Sequence, residues 1–163
     1  MQADERRALI ERYAHGPELL RETLARVPAK ALQWRPAPGT WSAHEVVCHC
    51  ADSETISSTR IRFLIGEEQP TIAGYDQDRW AQRFDYHALP LDLALRQIEQ
   101  VRAWTTDFVQ RLPDSVWLRT GTHTESGPYS AEKWLRIYAE HLEVHARQIE
   151  RNLAAWNAAP GKR

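Results

Sequence analysis

Apolar residues recur along the chain at helical spacing, and polar breaks divide the pattern into four long segments. In the first, over residues 4–26, Leu9, Tyr13, Leu20, Leu24 and Val27 fall near one face. Gly16-Pro17 interrupts it. A proline there removes one helix hydrogen bond, and the pattern predicts one kinked helix over two pieces with Pro17 opening the second. Residues 28–41 carry Pro28, Pro36, Pro38 and Gly39 and read as a connection with one turn at 29–33. Ser42 followed by Glu45 is a capping box, which opens a second helix expected to run to about Ile65, with Gly66 as its stop.

Residues 67–90 form a long connection, a length that in a compact domain is commonly functional. Within it, residues 76–83 predict a short helix that tucks Trp80 inward. A third long helix covers 91–112, with Leu91, Leu95, Ile98, Val101 or Arg102, Thr105, Phe108 and Leu112 along its stripe and Pro113 at its end. Residues 114–129 are polar and turn-rich. Strand pattern at 116–124 is weak, and no strand pair is convincing. Ser130 caps a fourth helix expected to reach about Trp156. The expected fold is all-α: a four-helix bundle in a single domain over residues 1–163, with short extra helices in the connections.

Composition narrows the function classes. The 163 residues are 42% hydrophobic and 26% charged, which suits one buried core. The 21 basic and 22 acidic residues are interleaved, so no basic stripe marks a nucleic-acid partner. No apolar run approaches the ~18 residues a membrane helix needs. Met1 to Glu5 lacks the apolar core of a signal peptide. Cys48 and Cys50 make no disulfide framework, so the expected compartment is a reducing cytoplasm. Seven tryptophans and seven histidines are the compositional oddities.

Two of those histidines share a helix face. His141 and His145 are four residues apart, about 400° of helix rotation, so their rings point the same way one turn apart. Trp134, Tyr138 and Gln148 lie on the same stripe, which faces the core. On the second helix, His49 shares an inner face with Val46, Ser53, Ile56 and Arg60. Two accounts fit: histidines hydrogen-bonded to neighbours in the core, or three imidazoles gripping one ion with a position left open. Zinc suits such a site, and nickel, cobalt or ferrous iron accept the same ligands. Asp52, one turn after His49, is a candidate to orient that ring from behind.

Other constellations fail on geometry. His44 and His49 are five residues apart, about 140° off a common face, so they do not form the zinc-protease pair. The Glu-x-x-His pattern of di-iron bundles is absent. Cys48 and Cys50 point to opposite sides of a helix and read as small buried thiols.

Several stretches together resemble the DinB/YfiT-like superfamily of metal-binding four-helix proteins. They are Leu32 to Ser42 (LQWRPAPGTWS), His49 to Glu54 (HCADSE), Pro70-Thr71-Ile72 with Tyr75 to Ala81 (YDQDRWA), Gly127 to Ser130 (GPYS), and Tyr138 to Ile149 (YAEHLEVHARQI). The resemblance implies an up-down-down-up bundle. It also implies an H…H-x-x-x-H metal site, which here falls on His49, His141 and His145. Relatives include thiol-dependent S-transferases and isomerases as well as metal-dependent hydrolases, and many are dimers.

Three functional readings follow. A thiol S-transferase would bind a low-molecular-weight thiol at the metal and direct it at an electrophilic small molecule. Arg60 and Arg62 would then hold the thiol's anionic groups, and Tyr75 and Trp80 would wall the cavity. A hydrolase would use water instead and would need a general base, for which His123 and Glu143 are weak candidates. A non-catalytic module would fill the fourth position, with His123 or Glu54 as the extra ligand. Trp104, Trp117 and Trp156 do not share one inner stripe, which points to a homodimer interface.

Overall fold

A computed structural model describes residues 1–160. α1 (Ala3–Ala25) passes through Pro17 as one helix. Pro17 has no N–H for the Tyr13 carbonyl, and Arg102 takes its place: Nη1 donates to that oxygen at 2.6 Å. α2 (Ala43–Gly66) opens on the expected capping box. The Ser42 hydroxyl accepts from the Glu45 N–H, and the Glu45 carboxylate accepts from the Ser42 N–H at 2.9 Å. α3 (Gln77–Arg83) is the short helix of the long connection, capped by Asp76. α4 (Leu91–Gln110) stops two residues before the predicted end, and α5 (Ala131–Ala158), capped by Ser130, runs two residues past it.

Side-chain pairs fix the helix directions. From α1 to α5, Glu5 meets Arg136, Arg12 meets Glu140 and Glu143, and Arg26 meets Glu150. The numbers rise together, so the two helices are parallel. From α2 to α4, Glu54 meets Arg102 and Ser58 meets Thr105, again in parallel. Between α2 and α5 the order reverses: Glu54 meets His141, and Ser57 meets Trp134. The bundle is therefore up-down-down-up. Two parallel neighbours, α2 and α4, need a connection that travels back along the bundle, and residues 67–90 make that journey.

The core divides into two apolar clusters. One gathers Leu20, Val46, Val47, Ile98 and Ile149, and the other Tyr13, Ile61, Leu64, Trp134 and Leu135. Each such side chain contributes about 1.5–3 kcal/mol by leaving water. Trp117 and Trp156 are also buried, which leaves Trp104, 66% exposed, as the outward one of the three.

The loops hold a sheet that the hydrophobic pattern does not predict. β1 (Thr71–Ile72) pairs in parallel with β2 (Thr120–His123), and β2 pairs antiparallel with β3 (Gly127–Ser130). These strands have two to four residues and carry threonine and glycine in place of an apolar alternation. Gly121 is required by contact: a Cβ there would lie 2.4 Å from the Pro70 carbonyl oxygen. The sheet ties the long connection to the start of α5, beside the site described next.

Candidate metal centre

His49 descends from α2, and His141 and His145 from α5. Their ring centroids lie 5.8 Å apart (His49 to His141), 4.8 Å (His49 to His145) and 4.7 Å (His141 to His145). One nitrogen from each lies within 4.8 Å of the other two. No fourth histidine, cysteine or carboxylate joins this group among the described residues. His49 is fully buried, while the other two rings are partly open.

Neighbours orient the rings. Glu54 Oε1 accepts from His141 Nδ1 at 2.8 Å, and Gln148 Oε1 accepts from His145 Nδ1 at 2.9 Å. Each contact holds the proton on Nδ1 and frees the Nε2 lone pair. Ser53 Oγ sits 3.3 Å from His141 Nε2, and Trp41 packs on His49 at 4.7 Å. His49 Nδ1 is buried without a hydrogen-bond partner. That ring therefore has coordinating capacity that no protein group uses.

Electrostatics favours the neutral rings. Burial, reinforced by His145 and His141, pushes His49 down to about 2. Burial and the neighbouring His141 push His145 down to about 4. Neutral imidazoles with free lone pairs fit a divalent ion of borderline softness.

Behind His141 stands a buried ion pair. Arg102 donates through Nε and Nη2 to both Glu54 oxygens at 2.6 Å. Arg102 also donates to the Tyr138 carbonyl, and its guanidinium lies 3.7 Å from the centroid of the Tyr13 ring. Burial alone would raise Glu54, but Arg102 and His141 outweigh it and hold this carboxyl below its ordinary value. This pair joins residues 48 positions apart and is not legible in the chain's spacing. The available signal was Arg102 itself, a charge inside an apolar stripe.

Asp52 differs from expectation. It accepts from the Tyr86 hydroxyl at 2.6 Å, and His49 Nδ1 has no partner. A residue three positions along a helix shares a face only roughly, and Tyr86 lies nearer its carboxylate. Glu143 faces α1 and pairs with Arg12. Arg62 turns outward onto Ser58, Trp104 and Phe108. Cys48 and Cys50 are buried thiols.

One cavity reaches His141, and a second borders Trp41 and Gln148, the neighbours of His49 and His145. The first, of about 250 Å³, is lined by Ser53, Arg60, His123, Tyr138 and His141 among others. The second, of about 560 Å³, is bordered by Trp41, Asp76, Asp78 and Gln148. Tyr75 and Gln77 of the long connection line both. Trp80 lines neither; it packs on Tyr75 and Phe84. A groove of about 660 Å³ between α1 and α4 borders none of the three histidines.

Residues 12–149 match the family model of the DinB superfamily. The chain belongs to the DinB superfamily. Among curated relatives, a "putative metal-dependent hydrolase" of Oceanobacillus iheyensis is 33% identical over 133 residues, covering 82% of this chain and 77% of that protein. A Bacillus licheniformis protein of the same description is 28% identical, covering 96% and 92%. Among solved structures, YfiT from Bacillus subtilis superposes with a TM-score of 0.90 at 21% identity, covering 98% of this chain and 91% of YfiT. YfiT is described as a probable metal-dependent hydrolase with an unusual four-helix bundle topology. That likeness bears on the fold of this DinB protein.

Proposed function

We propose that this DinB protein is a metal-dependent transferase that joins a low-molecular-weight thiol to an electrophilic small molecule. His49, His141 and His145 hold one zinc or nickel ion in this reading. The supporting observation is three imidazoles whose nitrogens converge beside a cavity that His141 lines, with no fourth protein ligand among the described residues. Such an ion supplies Lewis acidity and lowers the pKa of a thiol or water at an open position.

The surroundings favour a nucleophile that needs no separate base. His123 Nδ1 accepts from the Glu125 and Ser126 N–H groups at 3.2 and 3.4 Å. A neutral ring with Nδ1 so occupied carries its proton on Nε2, so the ring is a donor there and takes no proton at that nitrogen. Asp52 is engaged by Tyr86, and Glu143 by Arg12. Neither Glu54, bonded to Arg102 and His141, nor His123 is placed as a fourth ligand.

A hydrolase is the second reading, favoured by the description the relatives carry. Its base would be Glu125, the one carboxylate lining the smaller cavity. Elemental analysis of protein purified without a His-tag, followed by paired assays, separates the two. One panel offers small thiols with chlorinated or epoxide acceptors, and the other esters and amides without thiol. Thiol consumption lost on chelation and in His145→Ala is the expected result. Thiol-independent hydrolysis abolished by Glu125→Gln would select the second reading instead.

A reducing cytoplasm suits the two free buried thiols. No helix among the described residues is long and apolar enough to cross a membrane. A homodimer would use the exposed Trp104 face, which sedimentation of Trp104→Ser against the parent would test.

A further inference from the structure

Arg60 is a held cation with no ion-pair partner among the described residues. Its Nη1 donates to the Tyr138 hydroxyl at 3.1 Å and its Nη2 to the Ala73 carbonyl at 2.7 Å. Its Nε is buried with no hydrogen-bond partner. These contacts fix the guanidinium, and no carboxylate among the described residues forms an ion pair with it. An uncompensated, partly buried charge is costly, and an anionic ligand relieves that cost.

The charge faces the smaller cavity. Arg60 shares its lining with Tyr75, His123, Tyr129 and Tyr138, and burial, with Arg60 adding to it, holds His123 below its ordinary value. His123 stands there as a second donor, because its Nδ1 is taken by two backbone N–H groups. His141 also lines this cavity. The cavity thus holds a fixed cationic donor and a neutral one together with His141 of the histidine cluster. Glu125 on the rim, its carboxylate within contact distance of Gly74, supplies the one opposing charge. It disfavours a second negative charge on the ligand.

We infer that this cavity is an anion subsite, in which Arg60 and the Nε2–H of His123 hold the carboxylate of a small monoanionic substrate while its other end reaches the histidine cluster. The inference rests on the reading that the reaction takes place at that cluster. Arg60 and His123 are binding residues in it, set by geometry that exists before any substrate arrives. A carboxylate suits the site better than a phosphate dianion, given Glu125.

Chemical-shift titrations of the zinc-loaded full chain test it. The probes are propionate, propionamide, 3-mercaptopropionate and inorganic phosphate. Propionate is expected to bind at least about tenfold more tightly than propionamide, the scale of one charge-assisted hydrogen bond. Arg60→Gln should abolish that preference, with Arg60→Lys restoring part of it and zinc affinity unchanged in both. His123→Phe, which leaves the Arg60 contacts in place, should weaken propionate several-fold and leave propionamide unaffected. Equal binding of acid and amide, or a preference that survives both Arg60→Gln and His123→Phe, would overturn the subsite. Phosphate binding tighter than propionate would overturn its assignment to carboxylates. The mercapto group is read separately: if it adds no affinity over propionate, the thiol reading fails and the subsite stands.

Discussion

Glu54 has the most to lose from a change of one atom. It neutralises Arg102 in the interior and holds the His141 proton on Nδ1. Glu54→Gln leaves a buried guanidinium unpaired, and urea unfolding should show a loss of about 3–5 kcal/mol. Zinc affinity should also fall about 10–100-fold, read by competition with a chelator. The histidines themselves make stability depend on pH. In the folded chain His49 and His145 bind protons at about 2 and about 4, against 6.5 ordinarily. As pH falls below about 6.5, the unfolded chain takes up these protons first. The metal-free protein should therefore be most stable above that pH and lose stability progressively towards pH 4, followed by urea midpoints between pH 8 and 5.

Among the elements, α2 shows how a local signal becomes a tertiary one. Ser42 caps the helix, and its hydroxyl also lies 2.8 Å from His87 Nε2 in the long connection. Ser42→Ala should cost about 1–2 kcal/mol, the upper part of the capping range, because both contacts go. Thermal unfolding reads this directly. The capping box was legible because it is a three-residue spacing. So were the Ser130 cap and the His141–His145 face, which rest on helix geometry. The small sheet was not. Its pairing of Thr71 with Thr122 joins residues some fifty positions apart, and its strands are too short for a period to emerge. Pro17 is an intermediate case: the chain shows that a bond is missing, and only Arg102 from α4 explains why the helix continues.

For the whole molecule, the bundle topology brings a histidine of α2 to the pair on α5. An ion that binds only this folded arrangement should stabilise it by mass action. At zinc a hundredfold above its dissociation constant the gain is about 2.7 kcal/mol, or roughly 5–10 °C in Tm for a chain of this size. The rise should vanish in His145→Ala and on chelation, as calorimetry would show. An equal rise in that variant would place the ion elsewhere.

Helix positions, their caps and the inward direction of His49, His141 and His145 are local properties, repeating every few residues, and the chain alone is enough to read them. Membership of the DinB superfamily is likewise carried by short stretches in a fixed order. What the chain alone does not yield is which partners those side chains meet. Asp52 stood close to His49 along the chain yet bonds Tyr86, while Glu54 reaches both His141 and Arg102. The three-helix network of Glu54, Arg102 and His141, the hairpin that brings His123 to Arg60, and the cavities between them all join distant segments. Such contacts depend on how helices and loops pack, and no spacing within a single segment encodes them.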